Sequence, residues 1–304
     1  MSINELTDLL RRLPPQRVAA NLASIVDVLG GPSNEVADEL LSSVDQPLKV
    51  LKDATGKEFL ACDFNRDSDQ DENEDAPTGH DDAYRSPWTN EYVPPLPDGT
   101  KPSPRLRALE QAANDAFSIY REMYYEGTGV SSVYLWDLES TSSGSVGGDN
   151  SSFAGVVLLK KATKAQGNTE GAWDSIHVFE VGERSRTGSY KLTSTVMLYM
   201  TKSGSPTLGD VELGGSMTRQ LESSYPLDPP PTLSGTNSFN PSHISNIGRM
   251  IEDQEIKMRN LLQEVYFAKT RDVVNDLRSI RGAGEENKRK GLQGELVGLL
   301  RNRA

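Results

Sequence analysis

The residues that invite a chemical reading are few. Asp63, Asn65, Asp67, Asp69, Asp71 and Glu74 fall at positions 1, 3, 5, 7, 9 and 12 of a calcium-loop register, the spacing that wraps oxygen ligands around a hard cation. Ser68 stands where the sharp turn needs glycine, and Gln70 where an apolar residue is usual. The preceding KEFLACDF (57–64) reads as a strand rather than a helix. The expectation is a solvated acidic loop with no metal. Asp137 with Glu139, and Asp174 with His177, are the carboxylate and histidine pairs that general acid–base work would use. Each is read as exposed strand residues. His243, near a helix start, is read as a surface or capping residue. His80, His177 and His243 lie far apart, and the single Cys62 excludes a disulfide framework or a cysteine-rich zinc site. No glycine-rich phosphate loop follows a strand. Neither a catalytic constellation nor a cofactor site is expected.

Binding chemistry is better represented. In the terminal GLQGELVGLLRNRA, Leu292, Leu296, Val297, Leu299 and Leu300 recur at helical spacing, with Glu295, Arg301, Asn302 and Arg303 filling the remainder. Gly291, Gly294 and Gly298 each cost about 1 kcal/mol relative to alanine, so this amphipathic helix is weak in isolation. It either folds back as a final core helix or docks in a partner's groove. Burying four or five aliphatic side chains gives an upper limit of about 7–12 kcal/mol. Ordering a dozen residues cancels most of that, so firm binding needs a second, linked contact.

Charge separates these regions. The chain of 304 residues carries a formal net charge of −12. Eight acids lie between Arg66 and Asp82; outside them 36 acids face 32 bases. In the last 24 residues six bases (Arg281, Lys288, Arg289, Lys290, Arg301 and Arg303) outnumber three acids. A net-negative body argues against nucleic acid as a partner. With no signal-like leader and no apolar run of about 18 residues, the chain is expected in a reducing, cytoplasmic compartment.

The elements that must position these groups follow from periodicity. Residues 1–50 read as three short amphipathic helices, an N-terminal bundle. Leu6, Leu9, Leu10 and Leu13 make the first, Val18, Leu22, Ile25, Val26 and Leu29 the second, and Pro32 to Leu41 the third. Residues 51–239 form a central region. It holds a helix from about Pro104 to Glu126 with Leu106, Leu109, Ala113, Phe117 and Tyr120 on one side. Strand-like segments follow at 130–138, 153–162, 173–181, 190–200 and 209–220, and a flexible stretch at 222–239. Consecutive strands without intervening helices predict an antiparallel meander, hence an α+β fold. Residues 240–281, opened by Asn240 as N-cap and Pro241, predict a long helix of about 60 Å. A compact monomer of this size is only about 40 Å across, so such a stripe is expected to pack on a second chain. Residues 282–304 form the tail.

The segments LLSSVDQPLKV, YRSPW (84–88), SPRLRALE (103–110), GVSSVYLWDL (129–138), FAGVVLLKKA, WDSIHVFEV, YKLTSTVML, LGGSMTRQ (213–220), ISNIGRMIEDQE (244–255) and EVYFAKTRDVVNDLRS (264–279) together resemble the beta subunit family of the F-actin capping protein, CapZ. The resemblance runs from the first helix to the tail. It implies a three-helix bundle, an antiparallel sheet that joins a partner's, a long helix laid across the sheets and a mobile amphipathic tentacle. It implies a heterodimer with an alpha subunit that binds filament barbed ends and blocks actin subunit exchange. Dynactin, phosphoinositides and capping-regulatory proteins are further partners it implies. Carried over by position, Leu292, Leu296, Val297 and Leu300 match the tentacle's apolar face, Leu299 falls where the family often has a smaller residue, and Arg301 and Arg303 match its basic end. Against that resemblance, the acidic loop, the Ser/Gly insert near 140–152 and the Pro-rich insert near 222–239 look longer than in the family's animal members and resemble lineage-specific surface loops.

Overall fold

A computed structural model describes residues 3–13, 15–29, 46–67, 82–126, 128–138, 152–165, 169–184, 186–202, 211–228 and 239–264. The chain divides into two compact units, Met1–Glu252 and Asp253–Ala304. The first unit holds everything described below except the end of the last helix.

Two helices open the chain, α1 (Ile3–Arg11) and α2 (Val18–Leu29), separated by a 3-10 turn at Pro15–Arg17. Leu6, Leu10 and Leu22 form their small core, with Leu13, Val18 and Ile25 packed against it. Leu9, expected on the same stripe, is 40% exposed. The third predicted helix lies outside the described residues.

Next comes a hairpin of β1 (Lys49–Lys52) and β2 (Glu58–Ala61), then a three-stranded sheet of β3 (Arg66–Asp67), β4 (Ala83–Arg85) and β5 (Tyr92–Val93). Sequence reading found β2 and missed the others. Strands of two to four residues carry too few alternations to rise above the noise of a proline-rich stretch.

Helix α3 (Pro104–Tyr125) follows. Ser103 caps it, its hydroxyl accepting from the Leu106 N–H, while Pro104 occupies the first turn, where a missing N–H costs nothing. Asp137 holds that cap in place, accepting from the Ser103 N–H and Oγ–H at 2.9 Å each. The helix ends at Glu126, in the left-handed region with φ 49°.

The main sheet is a five-stranded antiparallel meander: β6 (Gly129–Asp137), β7 (Phe153–Ala165), β8 (Thr169–Arg184), β9 (Thr187–Lys202) and β10 (Val211–Pro226), in the order β10-β9-β8-β7-β6. The predicted meander is therefore present. β10 runs six residues beyond its predicted end, into the stretch read as flexible, because Leu221 and Tyr225 continue the alternation and pack on the core.

The pleat sorts side chains onto two faces. Phe153, Val157 and Leu159 of β7 join Val133, Leu135, Phe179, Val181, Tyr190 and Leu192 beneath α3 and the start of α4 (Ser242–Gln263). Gly155 lies in this layer. A Cβ there would sit 2.4 Å from Leu135 Cδ2 and 2.7 Å from the Tyr134 carbonyl oxygen, so only glycine fits. The opposite face, with Tyr134, Val156, Leu158, Ile176 and Met197, is covered by Leu48 and Leu60 of the β1–β2 region. Three long-range hydrogen bonds fix that cover: Leu48 N–H to Asp174 Oδ2 (2.9 Å), Leu60 N–H to Ser132 Oγ (2.9 Å) and Tyr134 O–H to Leu60 O (2.8 Å).

Asn240 caps α4 as expected, accepting from the Ser242 N–H at 3.0 Å. The helix is described to Gln263, and its predicted continuation to 281 lies outside the described residues. No helix among the described residues is long and apolar enough to cross a membrane.

Candidate functional site

The seven residues proposed for binding, Leu292, Leu296, Val297, Leu299, Leu300, Arg301 and Arg303, lie outside the described residues. What the structure resolves is the fate of the other candidates and the surfaces that the body offers.

The calcium register fails at its third position. Asn65 is buried in a 3-10 turn (Asp63–Asn65), with Oδ1 accepting from the Cys62 N–H at 2.8 Å and Nδ2 donating to the carbonyls of Leu60 (3.3 Å) and Arg85 (3.0 Å). Both side-chain polar atoms are bound to backbone within a buried turn, which takes this side chain out of a solvent-facing ligand set. Asp67 accepts from the Thr100 N–H at 2.9 Å, which ties the root of the acidic loop to the turn after β5.

The acid–base pairs dissolve as well. Asp174 and His177 are both buried, contrary to the expected exposed strand positions. They stand three apart on β8 and so project from opposite faces of the sheet. Asp174 takes Lys160 Nζ at 2.7 and 2.8 Å as well as the Leu48 N–H. Burial pushes its pKa up and the Lys160 charge opposes that rise. His177 Nδ1 lies 2.9 Å from Ser194 Oγ. Asp137 holds the α3 cap, and Glu139 lies outside the described residues.

His243 is the clearest correction. It is 1% exposed, not a surface residue. Nε2 meets Glu183 Oε1 at 2.5 Å and Nδ1 meets the Tyr190 hydroxyl at 2.8 Å. Asn246 Nδ2 donates to that hydroxyl at 3.0 Å, and Arg105 reaches Glu183 at 3.4 Å. The hydrogen bond from His243 holds the Glu183 carboxyl below its ordinary pKa, against the pull of burial. Burial raises Tyr190. This chain binds the start of α4 to β8, β9 and the start of α3.

A second polar centre, also unread in the sequence, surrounds Glu110. Arg85 makes a bidentate pair with it, Nη1–Oε1 and Nη2–Oε2 both at 2.8 Å, the two side chains being 6% and 0% exposed. Arg107 adds a further contact, and the Leu135 N–H donates to Oε2 at 2.8 Å. Burial disfavours the Arg85 charge, yet the hydrogen bonds and charge of Glu110 outweigh it and raise its pKa.

The hydrogen bonds and ion pairs of these clusters run between elements of the body, so the clusters act as supports for α3, the start of α4 and the sheet. The meander they hold up has two outer strands, β6 and β10, each with one edge that no strand pairs with among the described residues. β10 is 16 residues long and offers an extended row of backbone donors and acceptors, the means by which sheets extend across chains.

The sequence matches the family described as F-actin capping protein, beta subunit, over residues 3–274. The chain belongs to the F-actin capping protein beta subunit family. It is 46% identical over 291 residues to the F-actin-capping protein subunit beta of Aspergillus oryzae, covering 95% of this chain and 94% of that one. Identity to the subunit of the same name from Emericella nidulans is 46% over 296 residues, covering 97% and 96%. The Drosophila melanogaster subunit is 46% identical over 301 residues, covering 97% and 94%. A solved structure, the homodimeric actin capping protein alpha subunit from Plasmodium berghei, is similar at a TM-score of 0.48 and 16% identity, covering 92% of this chain and 98% of that one. That likeness is too distant to carry an argument.

Proposed function

We propose that this chain is the beta half of a heterodimeric capping protein. Paired with an alpha subunit in the cytoplasm, it sits on the barbed end of an actin filament and blocks subunit addition and loss. The observation that carries this reading is the 46% identity, along nearly the whole of both chains, to proteins named as that subunit. Its role is binding rather than catalysis.

Within that reading the tail, residues 282–304, is the arm that reaches actin. Leu292, Leu296, Val297, Leu299 and Leu300 enter a hydrophobic cleft on a terminal actin, and Arg301 and Arg303 approach that protein's acidic surface. Local positive charge matters because a chain of net charge −12 offers no long-range attraction. The same end-binding would serve the short filament of dynactin.

Co-expression with an alpha subunit, followed by pyrene-actin elongation from filament seeds, tests both parts. The full heterodimer is expected to stop barbed-end growth. Deleting residues 285–304 is expected to leave the heterodimer intact and to weaken capping at least tenfold, and Leu296→Arg to act likewise by placing a charge in an apolar cleft. Equal inhibition by the truncated protein would remove the tail from the mechanism.

The basic run Lys288, Arg289 and Lys290 supports a subsidiary reading, regulation by anionic lipid. Co-sedimentation with phosphoinositide vesicles, lost as salt is raised and lost with residues 285–304, checks it.

A further inference from the structure

We infer that the outer flank of α3 receives a helix of the partner subunit, one that is apolar along its contact line and edged with lysine or arginine. The inference rests on the heterodimer reading above and assigns that pairing a surface.

Helix α3 carries two apolar stripes. Leu106, Leu109, Ala113 and Phe117 face the sheet and are buried. At 100° per residue, Ala108, Ala112, Ala116, Ile119 and Met123 gather into a second arc of about 80°, turned roughly a third of a revolution from the first. It runs for about 22 Å along the helix. A surface helix with one core needs one stripe, so the second calls for its own cover. Ile119 and Met123, one turn apart, are 60% and 69% exposed in the single chain. The alanines below them keep the profile low, which lets a second helix axis approach closely, while the two larger side chains supply the ridge that fits its groove.

Charge selects the occupant. On the solvent side the flank is edged by Asp115, Glu122 and Glu126, all exposed. Glu122 touches Arg121 at 3.2 Å and Glu126 lies 3.7 Å from Lys161, yet the two carboxylate side chains stay 67% and 89% exposed. A second copy of this chain docking through the same flank would set acid against acid. A different chain with a basic edge meets both the apolar row and its rim.

The test is a photo-crosslink in the co-expressed heterodimer, with p-benzoylphenylalanine placed at Met123. Irradiation is expected to give a covalent adduct at the summed mass of the two different chains, mapping to a helix of the alpha subunit with basic residues. The same probe at Gln111, exposed and about 120° round α3 from Met123, should give at least tenfold less. A heterodimer that forms but yields no adduct between its two chains from Met123, or yields adducts only to a second copy or within the chain, overturns the inference while leaving the pairing intact. If the wild-type chain forms no heterodimer, the reading beneath it falls instead. Reversing the rim with Asp115→Lys and Glu122→Lys should speed dissociation of the heterodimer at least threefold at low salt, with the difference shrinking as salt rises. An unchanged rate overturns the charge argument.

Discussion

Of the carboxylates that tie α3 into the molecule, Glu110 and Glu183 do so differently. Glu110, in the second turn of the helix, is fully enclosed. It is answered by a bidentate arginine, a second arginine and a backbone N–H. Glu183, on β8, reaches the start of α3 through Arg105 and the start of α4 through His243, and its side chain stays 18% exposed. The first joins three rigid pieces: α3, β4 through Arg85, and β6 through Leu135. The second holds the beginning of α4. A dry, fully answered charge suits a fixed base, because in low dielectric it tolerates no partial loss. A wetter chain running through a histidine suits an anchor that can be strained without unfolding the base.

If that contrast is right, the Glu110 centre is the costliest to break. Glu110→Ala leaves Arg85 buried without its counter-charge, and Arg85→Ala does the reverse. Each is expected to cost about 3–5 kcal/mol, read by urea unfolding of the chain within its heterodimer. A loss below about 1 kcal/mol would show that water or neighbouring groups already answer these charges, and the contrast would fail. The double replacement of Arg85 and Glu110 by apolar residues of similar volume should cost less than either single change.

The anchor should cost less and its damage should stay local. His243→Phe keeps the ring that packs edge-on against Phe153 but removes the partners of Glu183 and Tyr190. About 1–3 kcal/mol is expected. Hydrogen exchange should rise at Ile244 to Met250 and not at Ala83 to Arg85. Equal loosening of both regions would merge the two centres into one.

Sequence reading reached the repeating parts of this architecture and missed both centres, for a physical reason. The strands of the meander, the buried stripe of α3 and the Asn240 cap are local: each is written in residues two to four apart. Arg85 and Glu110 are 25 residues apart, and His243 and Glu183 are 60 apart. No spacing rule joins groups that only the folded topology brings together. Some signal was still available. Asp174 and His177 differ by an odd number on one strand, which already placed them on opposite faces. The second stripe of α3 was equally present in ALEQAANDAFSIYREM, hidden because the stronger sheet-facing stripe was read first. The tail residues stand as a pattern in the sequence, and the described structure adds nothing to them.

The finest test of the contrast is acid titration. The hydrogen bond from His243 depresses the Glu183 carboxyl in the folded protein. A depressed carboxylate contributes stability that is fully present above its unfolded value, about 4.3 for glutamate, and is lost as pH falls through the lower folded value. The window therefore lies below about pH 4.3, where Asp53, also held low by its hydrogen bonds, titrates too, so the difference from Glu183→Gln is what isolates this carboxyl. Wild-type stability should fall more steeply through that window than that of Glu183→Gln, whose amide cannot take up the proton. The difference should be the smallest of the three effects, because Glu183 is only partly withdrawn from solvent. Two parallel curves would mean that the His243 bond does not discriminate between the charged and neutral carboxyl. Glu183 would then be a packing contact like its neighbours, rather than the acid-sensitive anchor of α4.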